Sequence, residues 1–262
     1  MYGINDRLLL WISSFLSNRS FKVRVNGEMS NHFDVDRGLP QGGVICPLLF
    51  NILVSDITKG ISSATISVYA DDIAFWIPCK KLKLLENKLQ SCINTLYEWT
   101  KVWKMTFSAE KSCYMVFTNK KNNCGMNLCI NGSKLNQVQE YKYLGVLFDS
   151  KLNWTKHIEK VKVSCQKRIN MMRCVSGASW GSDFYALNLM YRHLIRPVID
   201  FAAEVYGSAC QTLKASLDSI QYQCLRLATG ALPTTSLEAL VMIAYIYITH
   251  TCTYIKKVLI SY

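Results

Sequence analysis

Residues 67–76, SVYADDIAFW, set two adjacent carboxylates, Asp71 and Asp72, between two short apolar runs. Ser67–Tyr69 reads as the end of one strand and Ile73–Trp76 as the start of the next. Two like charges are costly in the middle of a half-buried strand. The chain therefore has to turn at the pair, and a tight turn leaves both carboxylates at the edge of a sheet, within reach of one another. Any fold for this chain must accommodate that hairpin.

The remaining punctuation places further elements around it. Residues 5–17, NDRLLLWISSFLS, predict a helix capped by Asn5 or Asp6. Phe21, Val23 and Val25 alternate with Lys22 and Arg24 and run into Asn26-Gly27, the strongest short hairpin signal. A Gly/Pro-punctuated turn, RGLPQGG (37–43), leads into an apolar helix, VICPLLFNILVSDI, with Pro47 tolerable in its first turn. After the Asp-Asp hairpin, Leu82, Leu85, Leu89, Ile93 and Leu96 recur at threes and fours, which predicts an amphipathic helix. Cys113–Phe117 reads as a strand, Met126–Val138 as a second Asn-Gly hairpin around Asn131-Gly132, and Tyr141–Phe148 as one more strand. Beyond about residue 153 helical patterning with basic faces takes over. Hairpins alternating with helices predict an α+β fold rather than a doubly wound parallel sheet, with an expected division into a mixed region, 1–152, and a helical region, 153–262.

Composition narrows the class. The chain has 262 residues, half of them apolar and 18% charged, which excludes a disordered chain. Its formal charge of +12 is uneven: between Lys101 and Val175 there are 14 Lys and Arg against four acids. A basic stretch of that density faces a polyanion or serves as a solvated face. The 11 cysteines contain no C-x-x-C spacing, and His32, His157, His193 and His250 follow no cysteine pair at zinc-ligand spacing. Neither zinc nor disulfides are expected, and reduced thiols with no secretory signal predict an intracellular protein. Ala239–Ile255 carries no formal charge, but its 17 residues fall short of a membrane span and polar groups interrupt it. A buried helix or strand is expected there rather than an anchor.

Chemistry can be read from the paired carboxylates. Asp is a favoured turn residue on its own account. A divalent cation, however, relieves the repulsion between adjacent carboxylates, and Mg²⁺ takes one or two carboxylates together with waters and substrate phosphates. Two such ions about 4 Å apart activate an attacking hydroxyl and stabilise a leaving group, as in polymerases and nucleases.

Six stretches, which make up five boxes in order, decide between the readings by resemblance. Tyr69-Ala70-Asp71-Asp72 resembles the YxDD box of reverse transcriptases. GLPQGGVICPLLFNI (38–52) resembles the PQG box of that family, and WKMTFSAEKSCYMVF (103–117) the segment carrying its motif D lysine. YKYLGVLFDSKLNWTKHI (141–158) is similar to the primer grip and the start of the thumb. LIRPVIDFAAEVYGSA (194–209) and LDSIQYQCLRLATGA (217–231) are similar to the region after the thumb in non-LTR retrotransposon polymerases of the Jockey type. The resemblance covers roughly residues 2–240.

The resemblance implies a partial palm over 1–152, a helical thumb and partial connector over 153–262, and RNA-directed DNA polymerase activity in the intact parent. Residue by residue, it implies that Asp71 ligates metal and Asp72 supports the metals or the primer end. Pro40, Gln41 and Gly42, with Tyr69 and Ala70, would line the nucleotide and template pocket. Lys111 would sit near the triphosphate and donate a proton to pyrophosphate, and Leu144 and Gly145 would grip the primer. Lys156, Lys160, Lys162, Lys167, Arg168 and Arg173 would contact the nucleic-acid backbone. The implied cofactor is Mg²⁺, with Mn²⁺ as a substitute. The implied partners are an RNA template, a DNA primer and deoxynucleoside triphosphates, and the implied location is the nucleus.

The pattern also departs from the family. The motif A carboxylate has no counterpart, since Asp6, Asp34 and Asp36 stand in the wrong context. Fingers, endonuclease and zinc knuckle are likewise not found. Gly43 and Cys46 stand where serines are usual, and the last 22 residues lose the pattern. The expectation is an N-terminally truncated fragment, inactive by itself. Its alternative is a catalytically silent remnant that binds nucleic acid through the basic segment.

Overall fold

The computed structural model describes residues 4–35, 38–119, 125–177 and 180–246. In chain order the elements are α1 (Asp6–Leu16), β1 (Arg19–Phe21), β2 (Arg24–Val25), β3 (Glu28–Met29), β4 (Phe33–Val35), α2 (Cys46–Val54), β5 (Thr65–Tyr69), β6 (Asp72–Trp76), α3 (Leu82–Trp103), β7 (Cys113–Tyr114), β8 (Cys129–Ile130) and β9 (Ser133–Lys134). They continue with β10 (Asn136–Gln137), β11 (Glu140–Tyr143), β12 (Val146–Asp149), α4 (Thr155–Cys174), α5 (Phe184–Met190), α6 (Arg196–Asp200), α7 (Ala203–Tyr206), α8 (Gln211–Thr229) and α9 (Leu237–Ile246). Helices mixed with small two-stranded sheets make the fold α+β, as the alternation predicted. The chain divides into two compact units, Met1–Lys111 with Met126–Leu135, and Ser112–Gly125 with Asn136–Tyr262.

In the N-terminal unit local chemistry sets the boundaries. Asn5 caps α1, its Oδ1 accepting from the Leu8 amide at 3.2 Å. Asn26 and Gly27 take positive φ (+50° and +90°) between β2 and β3, the geometry of a two-residue hairpin. The ladder expected to start at Phe21 is broken there, since β1 pairs with β4 instead and Phe21 stacks on Phe33. The amphipathic helix expected over 82–96 runs on to Trp103 and stops where Lys104 turns left-handed at φ +52°. It buries Cys92, Ile93, Leu96 and Thr100. The Gln90 side-chain amide completes the ladder of β8, its Nε2 donating to the Cys129 carbonyl (2.8 Å) and its Oε1 accepting from the Cys129 amide (2.9 Å). Met126, Leu128, Ile130 and Leu135 are buried in the same unit.

The C-terminal unit begins with a parallel pair, β7 with β10. The strand expected over 113–117 is thus reduced to two residues. The single strand expected over 141–148 is two strands, β11 and β12, paired from Glu140↔Asp149 to Tyr143↔Val146. Leu144 and Gly145 form the turn at φ +45° and +88°, and two successive left-handed residues reverse a chain where extended backbone would continue it. Asp149 then accepts three amides, from Lys151, Asn153 and Trp154 (2.8–3.0 Å), which folds the chain into α4.

Helix α4 buries Ile158, Val161, Cys165, Ile169 and Met172, a stripe at threes and fours, and this stripe shares a core with Ile220, Cys224 and Leu225 of α8 and with Ile195. Ile195 ends a π turn, Tyr191–Ile195, that joins α5 to α6. Cysteines behave as small apolar residues: Cys46, Cys92, Cys165 and Cys224 are buried thiols. Within the described residues no helix is long and apolar enough to cross a membrane. Asp36, Lys120, Lys121 and most of the divergent C-terminal segment, from 247 onward, lie outside the described residues.

Candidate polymerase hairpin and nucleic-acid surfaces

The β5–β6 register runs Thr65↔Trp76, Ile66↔Phe75, Ser67↔Ala74, Val68↔Ile73 and Tyr69↔Asp72. Opposed residues share a face and successive ones alternate. One face therefore carries Ile66, Val68, Ile73 and Phe75; the other carries Thr65, Ser67, Tyr69, Asp72, Ala74 and Trp76. The connection is only two residues long, Ala70 and Asp71. Ala70 sits at φ +50°, a left-handed position that glycine occupies at no steric cost and alanine occupies under strain. That strain buys a short loop: Asp71 lies in it and Asp72 beside it, both exposed, with Tyr69 across from Asp72 and 64% exposed.

Neither carboxylate forms an ion pair within the described residues. Two unpaired, solvent-facing carboxylates in adjacent positions are a hard-oxygen donor set of the kind Mg²⁺ shares with phosphate and water. Among the described residues no group of three His, Cys, Asp or Glu is placed to hold a metal ion, so the pair has no third carboxylate beside it. Asp56, the nearest acid on the N-terminal side, accepts a hydrogen bond from Trp99 Nε1 at 2.8 Å.

Pro40, Gln41 and Gly42 form one tight turn. The Gly43 amide donates to the Pro40 carbonyl at 3.2 Å, and Gly42 has φ +86° at the third position, where a type II turn needs glycine. Gln41 and Gly42 are exposed and Pro40 is half-buried. Gly43 has its own constraint: a Cβ there would lie 2.6 Å from Cys46 Sγ and 3.3 Å from the Pro40 carbonyl. The two residues that depart from the family's serines thus touch each other. Lys111, exposed in the turn before β7, donates its amide to Ser108 Oγ and forms no ion pair with either carboxylate among the described residues.

In the C-terminal unit, Leu144 and Gly145 sit at the tip of the β11–β12 hairpin, and a Cβ on Gly145 would lie 2.9 Å from Phe201 Cε1. The six cations of α4 do not share one face. Lys156, Lys160 and Lys167 follow at four and seven residues, opposite the buried stripe. Lys156 bonds Glu140 of β11, which ties the helix to the hairpin. Lys160 and Lys167 form no ion pair among the described residues. Lys162 pairs with Glu159, Arg168 donates to Ser164, and Arg173 donates to Asn170, so these three are engaged along their own helix.

Two residues outside the predicted set organise this surface. Asp149 folds the backbone after β12. His157 is buried, and its Nδ1 accepts from the Leu147 amide at 3.2 Å, pinning β12 to α4. Burial, and then the Lys160 charge, push its imidazole below the ordinary value. The sequence signal for it is spacing: Trp154 and His157 lie one turn apart at the start of an amphipathic helix.

The family described as reverse transcriptase (RNA-dependent DNA polymerase) matches residues 2–148. The chain is 30% identical over 235 residues to the RNA-directed DNA polymerase from mobile element jockey of Drosophila funebris, which covers 87% of this chain and 26% of that protein. It is 27% identical over 232 residues to its namesake in Drosophila melanogaster, covering 86% of the chain and 25% of the relative. It is 26% identical over 226 residues to the Pol polyprotein of the type-1 retrotransposable element R1 of Bradysia coprophila, covering 85% and 22%. The chain thus spans about a quarter of the length of the curated relatives it matches. With the family matched over more than half of its residues, and the Asp71–Asp72 hairpin inside the matched stretch, this chain belongs to the reverse transcriptase family.

Proposed function

We propose that this chain forms part of an RNA-directed DNA polymerase of the Jockey type, with residues 1–152 contributing to the palm and 153–262 to the thumb and connector. The observation that carries this reading is the two-residue turn, which leaves Asp71 and Asp72 adjacent, exposed and unpaired. Asp71 and Asp72 would hold divalent cations, Mg²⁺ by preference. When bound, such ions lower the charge on the triphosphate and acidify the primer hydroxyl.

The protein's own contributions are placement and proton control. Tyr69 and Ala70 would border the incoming deoxynucleotide. The Pro40–Gly43 turn offers close backbone approach at Gly42 and a donor–acceptor amide at Gln41 for base or template. Lys111 carries the proton for departing pyrophosphate. Leu144 and Gly145 present the β11–β12 tip to the primer backbone. Lys156, Lys160 and Lys167 form a row toward phosphates, while Lys162, Arg168 and Arg173 add charge from the flanks. RNA template, DNA primer and deoxynucleoside triphosphates are the partners of this reading, and the nucleus is its location.

The pair lacks a third carboxylate among the described residues, so the isolated 262-residue chain is expected not to extend a primer. The test is a chimera in which residues 2–148 replace the matched stretch of the Drosophila funebris Jockey polymerase. Primer extension on an RNA template should persist in the chimera and fall at least about a hundredfold on Asp71→Asn, with template binding retained. Extension that is indifferent to Asp71→Asn would sink the proposal. The row of lysines on α4 favours a second reading, in which the chain binds nucleic acid without chemistry. Under that reading the 262-residue chain would bind nucleic acid and the chimera would not extend.

A further inference from the structure

The C-terminal unit carries a cleft of about 540 Å³ to which no role is assigned above, although its helical wall lies within the stretch 217–231. One wall is a face of α8, where Ser219, Tyr222 and Arg226 follow at threes and fours and project together. The other wall is the connection from α8 to α9, with Thr234, Thr235 and Ser236. Among the described residues no acidic side chain lines it.

Arg226 sets its character. The guanidinium lies over the Tyr222 ring at 5.9 Å, and one terminal nitrogen reaches the Thr235 carbonyl only at 3.5 Å. Its Nε is buried with no hydrogen-bond partner among the described residues. A guanidinium presents five donors in a fixed fork, and a buried donor left unpaired is costly. The fork is therefore held in place by stacking while its hydrogen-bonding capacity is mostly unspent. Ser219 and Thr234 add hydroxyls with no partner among the described residues, and Ser236 spends its oxygen on the Ala239 amide at 3.3 Å while keeping its proton. A permanent cation ringed by hydroxyl donors, without a competing carboxylate, fits a polyvalent anion with many acceptor oxygens.

We infer that this cleft binds a phosphate group of a nucleic-acid strand. The size suits a strand better than a free ion: about 540 Å³ lies within the range of roughly 300–1,000 Å³ that holds a drug-sized ligand, more than one phosphate needs. Tyr222 gives an aromatic edge beside the cation for sugar or base. The inference rests on the reading that the chain handles nucleic acid, and it is independent of the chemistry at Asp71.

The test is fluorescence anisotropy of a 5′-fluorescein-labelled 20-residue oligouridylate titrated with the 262-residue chain across a potassium chloride series. Arg226→Gln should weaken binding about tenfold, and the slope of log affinity against log salt should flatten by about 0.7, the share of one single-strand phosphate. Arg226→Lys, which keeps the charge and loses the fork, should keep the slope and lose part of the affinity. The Ser219→Ala, Thr234→Val double variant should lose about threefold at unchanged slope.

If Arg226→Gln, folded by circular dichroism, binds with wild-type affinity and slope, the inference is wrong. Should that variant not fold, unchanged binding in both other variants overturns it equally. Phosphorus NMR of inorganic phosphate separates the sources: broadening that depends on Arg226, with oligouridylate binding untouched, would mean a free-phosphate site and would overturn the strand assignment. Failure of the chimera to extend a primer, with Arg226-dependent binding intact in the 262-residue chain, would count against the polymerase reading alone.

Discussion

The two units are stabilised differently. In the C-terminal unit, α4 contributes six buried residues, and Ile158, Cys165, Ile169, Met172 and Cys224 are fully inaccessible. In the N-terminal unit, α1 buries none of its residues, and Leu9, Leu10 and Trp11 are 56%, 70% and 52% exposed. Its buried side chains concentrate instead around α3 and the β8–β9 hairpin. One unit is held by burial. Much of the other is held by caps, turns and short ladders, each worth about 1 kcal/mol or less. The exposed apolar face of α1 is the kind of surface that proteins keep for contact with other structure.

The sharpest way to break this contrast is to truncate both sides. Ile169→Ala should cost about 3–4 kcal/mol in urea denaturation, because the lost methyl groups leave a cavity in a closed core. Leu10→Ala should change stability by under about 0.5 kcal/mol. Equal effects would erase the distinction. Hydrogen exchange provides a second reading of it, with the amides of α4 and α8 outlasting those of α1.

Gly145→Ala comes next, at about 2 kcal/mol. It places a Cβ at φ +88° and 2.9 Å from Phe201 Cε1, and Phe201→Ala in the same chain should recover the steric part but not the backbone part. Denaturation midpoints of the wild type and the two variants would show this.

His157 should add a pH dependence confined to the C-terminal unit, of about 1 kcal/mol for its hydrogen bond. Its imidazole has a lowered value in the fold because burial among Tyr206 and the apolar core, and then Lys160, disfavour the charged form. Its contribution is therefore complete above the ordinary value near 6.5 and is lost as pH falls through the lowered one. Urea midpoints should decline with acidification in the wild type and flatten over that window in His157→Gln. A wild type that gains stability on acidification would contradict the Nδ1 acceptor role.

Ala70→Gly is the smallest effect, a gain of about 0.5 kcal/mol from releasing φ +50°, offset by a more flexible unfolded chain. It should be visible as a small rise in midpoint, and a loss would mean the alanine methyl packs against something.

Local signals were the legible ones. Asn5, Asn26-Gly27, Asn131-Gly132, Pro47 and the Asp pair each announce their element because the residue type and the backbone geometry are directly coupled. The α+β class followed from their order. The β11–β12 turn was missed because Leu144 is not a turn residue by type, so its φ of +45° is imposed by the strands on either side. Helix α4 was legible as basic, but its cations divide into three groups according to which neighbours they find, and neighbours are tertiary information. The same holds for the cleft at Arg226, whose walls are a helix face and a loop brought together by folding. The contact between Gly43 and Cys46 is a further case: two departures that look separate along the chain share one small volume.

The two-residue connection at Ala70 and Asp71 has a consequence for how such a sequence can change. With a repeat of two along each strand, the loop acts as a phase lock. A substitution at Val68 or Ile73 alters packing, but a single residue inserted or deleted between Tyr69 and Asp72 that the loop does not absorb would shift one strand by half a period against the other and send every later side chain of β6 to the opposite face. Drift by replacement can leave the carboxylates where they are for a long time. Drift by length removes them in one step.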